Sequence, residues 1–385
     1  MTEIYFDNSA TTQVLDSVCD MVVRAMKTDY GNPSSKHQKG VDAENLLKEA
    51  RIEIAKTLKV QEKEILFTSG GTESNNMALF GAAFANKRAG NHIITTAIEH
   101  AAVYQPLQVL EQAGFRVTYL PVDHNGRISL EDLDAAICDD TILVSVMYVN
   151  NEIGAVEPIE EIGEHIKRRN SNILFHVDAI QAYGKYQIRP KRMKIDLMSV
   201  SGHKIHGPKG IGFLYMREGI KVKPLVYGGG QQKGMRSGTD NVAGAVGLGE
   251  AAKEVYTDFE KEIEHLYCLK DRMTAGLLAM DGVCVHGLTD RTSAPHIVSA
   301  GFKGVRSEVL LHALEDRGIY VSSGSACSSN HPGVSGALKG IGVHPDYLDS
   351  TIRFSFSRFN TEEEVDECLK ALQELLPFLR RYQRG

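Results

Sequence analysis

The sequence predicts an α/β fold: a large unit whose mostly parallel sheet is sandwiched by helices, followed by a smaller α+β unit at the C-terminal side. Three observations carry this reading. Short runs that are apolar at nearly every position alternate with helical segments, as strands covered on both faces do. A fourteen-residue stretch, VYGGGQQKGMRSGT, carries five glycines and interrupts that alternation around Tyr227. Beyond it, strands and helices recur in a different order, as in a separate α+β layer. At 385 residues the chain has room for two units of about 150 residues or somewhat more each. With 42% hydrophobic and 24% charged residues it reads as a globular protein with a proper core, not a disordered or fibrous chain.

The elements follow in order. After the turn GNPSS, Leu47, Ala50, Ile54 and Leu58 recur at helical spacing and define one apolar face. EILFTSG reads as a strand and turn, and ESNNMALFGAAFANKRAG as the next helix. HIITT, FRVTYL, TILVSVMYV, ILFHVDA, DLMSVS and IGFLYM continue the strand series. The glycine-rich stretch is read as a loop. From DFEKEIEHLYCLKDRMTAGLLAM, a long helix, the second unit runs through strand APHIVSAGF, helix SEVLLHALEDRG, strand IYVSS, a Ser/Gly loop and strand TIRFSFS. The last helix starts at Thr361, where Thr361 and Glu364 form a capping box and Val365, Cys368, Leu369, Leu372 and Leu376 an apolar stripe. The expected division is an N-terminal arm, 1–14, packing with the small unit, a large unit, 15–255, and a small unit, 256–385.

The charge sum, 43 − 49 = −6, gives no global attraction for nucleic acid or an anionic membrane. The longest apolar stretch, Ile142 to Val149, is far short of the twenty or so residues of a membrane helix. The opening MTEIYFDNSATT lacks a basic start and an apolar core, so no signal peptide is expected and the cytoplasm is the default compartment. The six cysteines form no CxxC pair and no local Cys/His cluster, so no metal site is expected and reduced thiols are.

Several residues carry chemistry. In TSGGTES, between a strand and a helix, Gly70, Gly71 and Thr72 make either a tight turn with Thr72 as N-cap or an anion seat at a helix start. It is neither a Walker loop nor a dinucleotide fingerprint. Asp178 ends the strand ILFHVDA with Gln181 three residues on. The pair reads either as a capping box or as an aspartate at the carboxyl end of a strand, placed to hold a cationic ring nitrogen. Lys204, in SGHKIHGPKG at another strand end, sits between His203 and His206, where partial burial and a nearby cation would make it a nucleophile toward a carbonyl. A Schiff-base lysine, an aspartate for a pyridinium and a phosphate cradle are together what pyridoxal phosphate (PLP) demands. Cys327, in SSGSACSSNHPG, has Ser and Gly around it, as an exposed thiol on a movable loop would; the other cysteines are taken as structural. His100, where a strand gives way to a helix, is either a capping or a ligand-facing histidine. Arg353 alternates with Ile352, Phe354 and Phe356, so it points away from the aromatic face and is either a carboxylate fork or a solvated charge.

FDNSATT, GNPSSKHQKG, FTSGGTESNN, Glu99-His100, VNNEIG, HVDAIQ, SGHKIHGPKGIG, GGGQQKGMRSGT, SSGSAC and IRFSFSRF occur in order from residue 6 to about 360. Together they resemble cysteine desulfurases of the NifS/IscS-like kind, within the class-V aminotransferase family of fold type I PLP enzymes. The resemblance implies an aspartate-aminotransferase-like fold with a large PLP-binding domain and a small domain carrying the catalytic cysteine loop. It implies that Lys204 carries the cofactor, that Asp178 pairs with the ring nitrogen and Gln181 with the ring oxygen, and that His100 stacks on the ring and moves protons. Gly71, Thr72, Ser201 and His203 would hold the phosphate, and Thr239 would reach the phosphate of a neighbouring subunit in a homodimer. Asn151 would contact cofactor and substrate, and with Arg353 would bind the substrate carboxylate. Cys327 would take the sulfur of L-cysteine as a persulfide, leaving L-alanine, and a sulfur-acceptor protein, an iron–sulfur scaffold or a tRNA-thiolation enzyme, would receive it. A selenocysteine lyase or another class-V lyase or aminotransferase is the alternative, against which SSGSAC speaks, since a transaminase needs no such thiol.

Overall fold

The structure, a computed structural model, describes residues 3–323 and 335–381. Cys327 therefore lies outside the described residues. The chain begins with β1 (Ile4–Tyr5) and then lays down the central sheet from β2 (Ile65–Thr68), β3 (His92–Thr96), β4 (Arg116–Leu120), β5 (Thr141–Met147), β6 (Leu174–Asp178), β7 (Leu197–Ser201) and β8 (Gly212–Met216). Among the described residues the strand order is β2-β8-β7-β6-β5-β3-β4. Every pairing is parallel except those of β8, which runs against β2 and β7. The sequence pattern explains the mostly parallel sheet. All residues of β2, β3, β5, β6 and β7 are buried, so these strands need cover on both faces.

Four helices prepare the site: α1 (Asp16–Lys27), α2 (Gln38–Leu58), α3 (Gly71–Asn86) and α4 (Ala101–Gln112). The face of α2 read from the sequence, Leu47, Ala50, Ile54 and Leu58, is buried in the main core against Ile65 and Phe67 of β2. The glycine-rich stretch is ordered where Gln232 mimics a strand partner for the sheet edge. Its Oε1 accepts from Phe67 N at 2.8 Å and its Nε2 donates to Phe67 O at 3.0 Å.

The C-terminal residues add β9 (Val283–His286), β10 (Ile297–Phe302), β11 (Ile319–Tyr320), β12 (Ser322–Ser323) and β13 (Thr351–Ser355). An antiparallel sheet, β12-β13-β10-β9, packs Phe302, Ile352, Phe354 and Phe356 into a second core. The segment IYVSS, expected as one strand, is split at Val321: β11 pairs with β1, and β12 with β13. Ile4 and Phe6 belong to this second core, and the Phe6 ring meets Phe356 edge-on at 5.2 Å between centroids. The arm thus touches the C-terminal layer with apolar side chains while its next residues turn toward the central sheet. The last helix, Glu362–Leu379, carries the capping box: Thr361 Oγ1 accepts from Glu364 N at 3.2 Å, and the Glu364 carboxylate accepts from Thr361 N at 3.1 Å. Cys368 is fully buried on its stripe, whereas Cys19 and Cys268, taken as structural by default, are exposed.

Candidate active site

The carboxyl ends of the central strands converge on one cavity of about 340 Å³. Open α/β sheets place ligands there because strand ends and helix starts leave backbone groups unpaired. Gly71, Thr72, His100, Asn151, Asp178, Gln181, Ser201, His203, Lys204 and Arg353 all line it. Thr239 does not; it is exposed in the glycine-rich segment. A larger groove of about 600 Å³ beside α2 holds none of the residues given a catalytic, cofactor or substrate role from the sequence.

Lys204 ends a 3₁₀ turn that leaves β7. Its Nζ donates to Ser9 O at 2.6 Å and to Ala10 O at 2.7 Å. These two arm carbonyls aim the amine into the cavity. Beneath it, Asp178 is buried at the end of β6. Its Oδ1 accepts from Ile180 N at 3.0 Å and its Oδ2 from Asn75 Nδ2, on α3, at 2.7 Å. Burial pushes this carboxyl above its usual range, against the pull of the Ile180 N–H, His100, Asn75 and Lys204.

The capping-box reading of Asp178 and Gln181 is overturned, because turns and not a helix follow β6. Gln181 instead donates from Nε2 to Ser9 O at 2.9 Å, and its Oε1 accepts from His296 Nε2 at 3.2 Å.

The alternative offered for Thr72, an N-cap, also fails: α3 begins at Gly71 with Gly70 in the cap position and no side-chain cap. Gly70 has φ 148°, a conformation that favours glycine. The bare helix start faces Ser201 and His203 across a contiguous cavity that also reaches Lys209. His203 is lowered to about 4 by burial, Lys204 and Lys209, so it serves as a neutral donor or acceptor.

His100 is both things the sequence allowed. It caps α4, its Nδ1 accepting from Ala102 N at 3.0 Å, and its ring lines the cavity. That bond leaves the proton of the neutral ring on Nε2. Burial, reinforced by Lys204, holds the imidazole below its ordinary pKa, with Asp178 opposing.

Arg353 is buried on the face of β13 opposite the Ile352 and Phe354 core, as alternation required. Its Nη2 meets Asp7 Oδ1 at 2.8 Å and its Nη1 donates to Asn151 O at 2.8 Å, while Nε is buried without a partner. A solvated strand charge is therefore excluded.

Ser9, Ala10, Asp7, Asn75 and His296 are the participants that sequence reasoning did not assign. FDNSATT and SGGTESNN contain the first four, but a carbonyl's aim and an amide's partner are tertiary facts. His296 carries no local signal at all.

The donor set fits PLP. A buried carboxylate with two N–H partners offers a negative charge for a ring nitrogen, a buttressed lysine offers the amine, and a glycine-opened helix start offers an anion seat. A doubly layered sheet with this pocket at its carboxyl edge defines a PLP-dependent enzyme of the aminotransferase type. The chain belongs to the class-V aminotransferase family, whose profile matches residues 4–368.

Within that family it falls in the cysteine desulfurase branch, and PLP is its cofactor. It is 44% identical over 377 residues to "Cysteine desulfurase IscS" of Methanosarcina thermophila, covering 98% of this chain and 93% of that one. It is also 44% identical over 382 residues to "Cysteine desulfurase 2" of Trichormus variabilis, covering 99% and 94%. Among solved structures, a "NIFS-LIKE PROTEIN" superposes with a TM-score of 0.93 at 38% identity, covering 98% of this chain and all of that one. "SspA in complex with cysteine" superposes with 0.81 at 33% identity over 94% of this chain and 100% of that one.

Proposed function

We propose that the protein removes sulfur from L-cysteine, stores it on Cys327 as a persulfide, and releases L-alanine. The sulfur atom leaves the substrate Cβ and joins the Cys327 sulfur, so L-cysteine plus a thiol becomes L-alanine plus a persulfide, and no outside oxidant is needed. When bound, PLP supplies an aldehyde for the substrate amine and a sink for the electrons of the Cα–H bond. The chain's own residues do the rest. Arg353 fixes the substrate carboxylate with its fork, helped by Asn151. Asp178 would offer an anion to the ring nitrogen and Gln181 an amide to the ring oxygen. Gly71, Thr72, Ser201 and His203 would seat the phosphate. Lys204 Nζ would take the Cα proton, and His100, neutral with its hydrogen on Nε2, would exchange protons within the same cavity.

The observation that carries this reading is the convergence of Lys204, Asp178 and Arg353 on one cavity that the uncapped start of α3 also lines. A structural neighbour solved as "SspA in complex with cysteine" supports the choice of substrate. The working form is a homodimer in which Thr239 and the glycine-rich segment near Gly228 complete the partner's phosphate site. The arm, large and small units divide at 14 and 255, the compartment is the cytoplasm, and the acceptor is an iron–sulfur scaffold or a tRNA-thiolation enzyme. Among the described residues no helix is long and apolar enough to cross a membrane.

Cys327→Ser tests the proposal. It is expected to keep the cofactor's visible colour while losing alanine and sulfide production; turnover at the parent rate would assign the sulfur to another group.

A further inference from the structure

At the amino ends of the same strands, across the sheet from the cavity, a second set of reactive side chains is assembled. β3, β4 and β5 start side by side there, with His92 in register with Arg116 on one side and Thr141 on the other. The His92 ring is buried; its Nε2 lies 2.8 Å from Thr118 Oγ1, and its Nδ1 lies 3.2 Å from Cys138 Sγ and 2.7 Å from Thr141 Oγ1. Cys138 Sγ is 3.1 Å from Asp140 Oδ1. His92 Nδ1, Cys138 Sγ and the Asp140 carboxylate all lie within 4.8 Å of one another.

Zinc bonds of about 2.0–2.3 Å place neighbouring ligands roughly 3.3–3.8 Å apart. The observed 3.2 and 3.1 Å are hydrogen-bond separations just under that range, so the side chains must part slightly to admit an ion. Thr118 is the outer partner such a site needs: an Nε2–H donated to its hydroxyl leaves Nδ1 an acceptor, engaged by the Thr141 hydroxyl at 2.7 Å with Cys138 Sγ at 3.2 Å, so an ion would displace the Thr141 O–H from Nδ1. A mixed nitrogen, sulfur and oxygen set favours zinc-like ions over magnesium or calcium. One charge now occupies the position: Arg116 Nη2 lies 3.2 Å from Cys138 Sγ and 2.9 Å from Asp140 Oδ1. Its side chain is half exposed, so it can swing out. Lys167, Arg168 and Arg169 line a groove of about 510 Å³ alongside Cys138, and they oppose a cation.

We propose that His92 Nδ1, Cys138 Sγ and Asp140 Oδ1 form a binding site for a zinc-class divalent cation, separate from the PLP cavity, with water as the fourth ligand. Binding displaces the Arg116 guanidinium and releases the Cys138 thiol proton to solvent. His92 lies 46 residues before Cys138, and a lone Cys-x-Asp is no metal signature, which is why no spacing motif announces the set.

The test uses the PLP-loaded full chain carrying Cys327→Ser, so that this thiol does not compete. Zinc is titrated against a chromophoric chelator, and cobalt(II) is added in parallel. One zinc per chain is expected, with a sulfur-to-cobalt charge-transfer band. Cys138→Ala, at a partly exposed position, should lose both the ion and the band while keeping the parent's thermal midpoint and PLP content. Thr118→Val should weaken zinc about 10- to 100-fold, and Arg116→Ala should tighten it. Asp140→Asn serves as a second ligand variant on the surface. Unchanged zinc stoichiometry and affinity in both Cys138→Ala and Asp140→Asn would overturn the proposal. So would alkylation of Cys138 that proceeds as fast with zinc as without.

Discussion

Asp178→Asn separates the fold role of the buried carboxylate from its chemical role. The carboxylate accepts from Ile180 N and from Asn75 Nδ2. An asparagine keeps one oxygen for Ile180 but would set its NH₂ against the Asn75 amide. Asn75 can resolve that by flipping, because its own Oδ1 is buried without a partner. The flip exchanges one unpaired buried atom for another, so stability should change by no more than about 1 kcal/mol, the net worth of one hydrogen bond. The loss to chemistry is larger. A hydrogen bond to a charged group is worth about 1.5–3 kcal/mol, so removing the anion beside the ring nitrogen should cut kcat about ten- to a hundredfold. The assay is alanine formation at saturating L-cysteine with PLP-saturated protein, beside thermal unfolding. A variant that unfolds like the parent and keeps the parent's kcat would refute the assignment of Asp178 to the ring nitrogen.

For the substrate clamp, Arg353→Ala should raise KM for L-cysteine roughly ten- to a hundredfold, from the same charged hydrogen-bond energy, with kcat less affected; an unchanged KM retires the clamp. Glu99 gives a pH prediction. Burial raises its carboxyl to about 8, while Oε1 accepts from Met147 N and Thr96 Oγ1 and Oε2 is buried without a partner. The folded state therefore holds a proton that the unfolded state gives up, so its contribution is present below the ordinary carboxylate range and is lost as pH rises toward 8. Glu99→Gln, neutral at every pH, should raise the thermal midpoint more at pH 8 than at pH 5, and equal shifts at the two values would contradict this.

The strand series, the α2 face and the final capping box were legible because each rests on local spacing. Covered strands are apolar throughout, helical faces recur at three and four, and a capping box is four residues long. Part of the site was legible as suspects at strand and helix ends and part only through the resemblance, which alone gave Ser201, His203 and Asn151 their roles; ten of the residues so assigned line one cavity. What the sequence left open or misread depended on where the chain turns next. Asp178 and Gln181 have capping-box spacing, but no helix follows β6, so both side chains are released to other partners. IYVSS reads as one strand, yet its two ends serve different sheets. Arg353 was split evenly between fork and solvated charge, and only burial against Asp7 and the Asn151 carbonyl decided it. Cys138 looked like a structural thiol, and His92 beside it comes from a strand whose own neighbours say nothing of it.

The central claim is that a single lysine, buttressed by the carbonyls of Ser9 and Ala10, carries the coenzyme. Borohydride reduction of the coloured protein followed by peptide mapping tests it most directly. The expected result is one pyridoxyl group per chain, on the peptide containing Lys204. A pyridoxyl group on Lys209 or any other lysine, or none at all, would contradict the account.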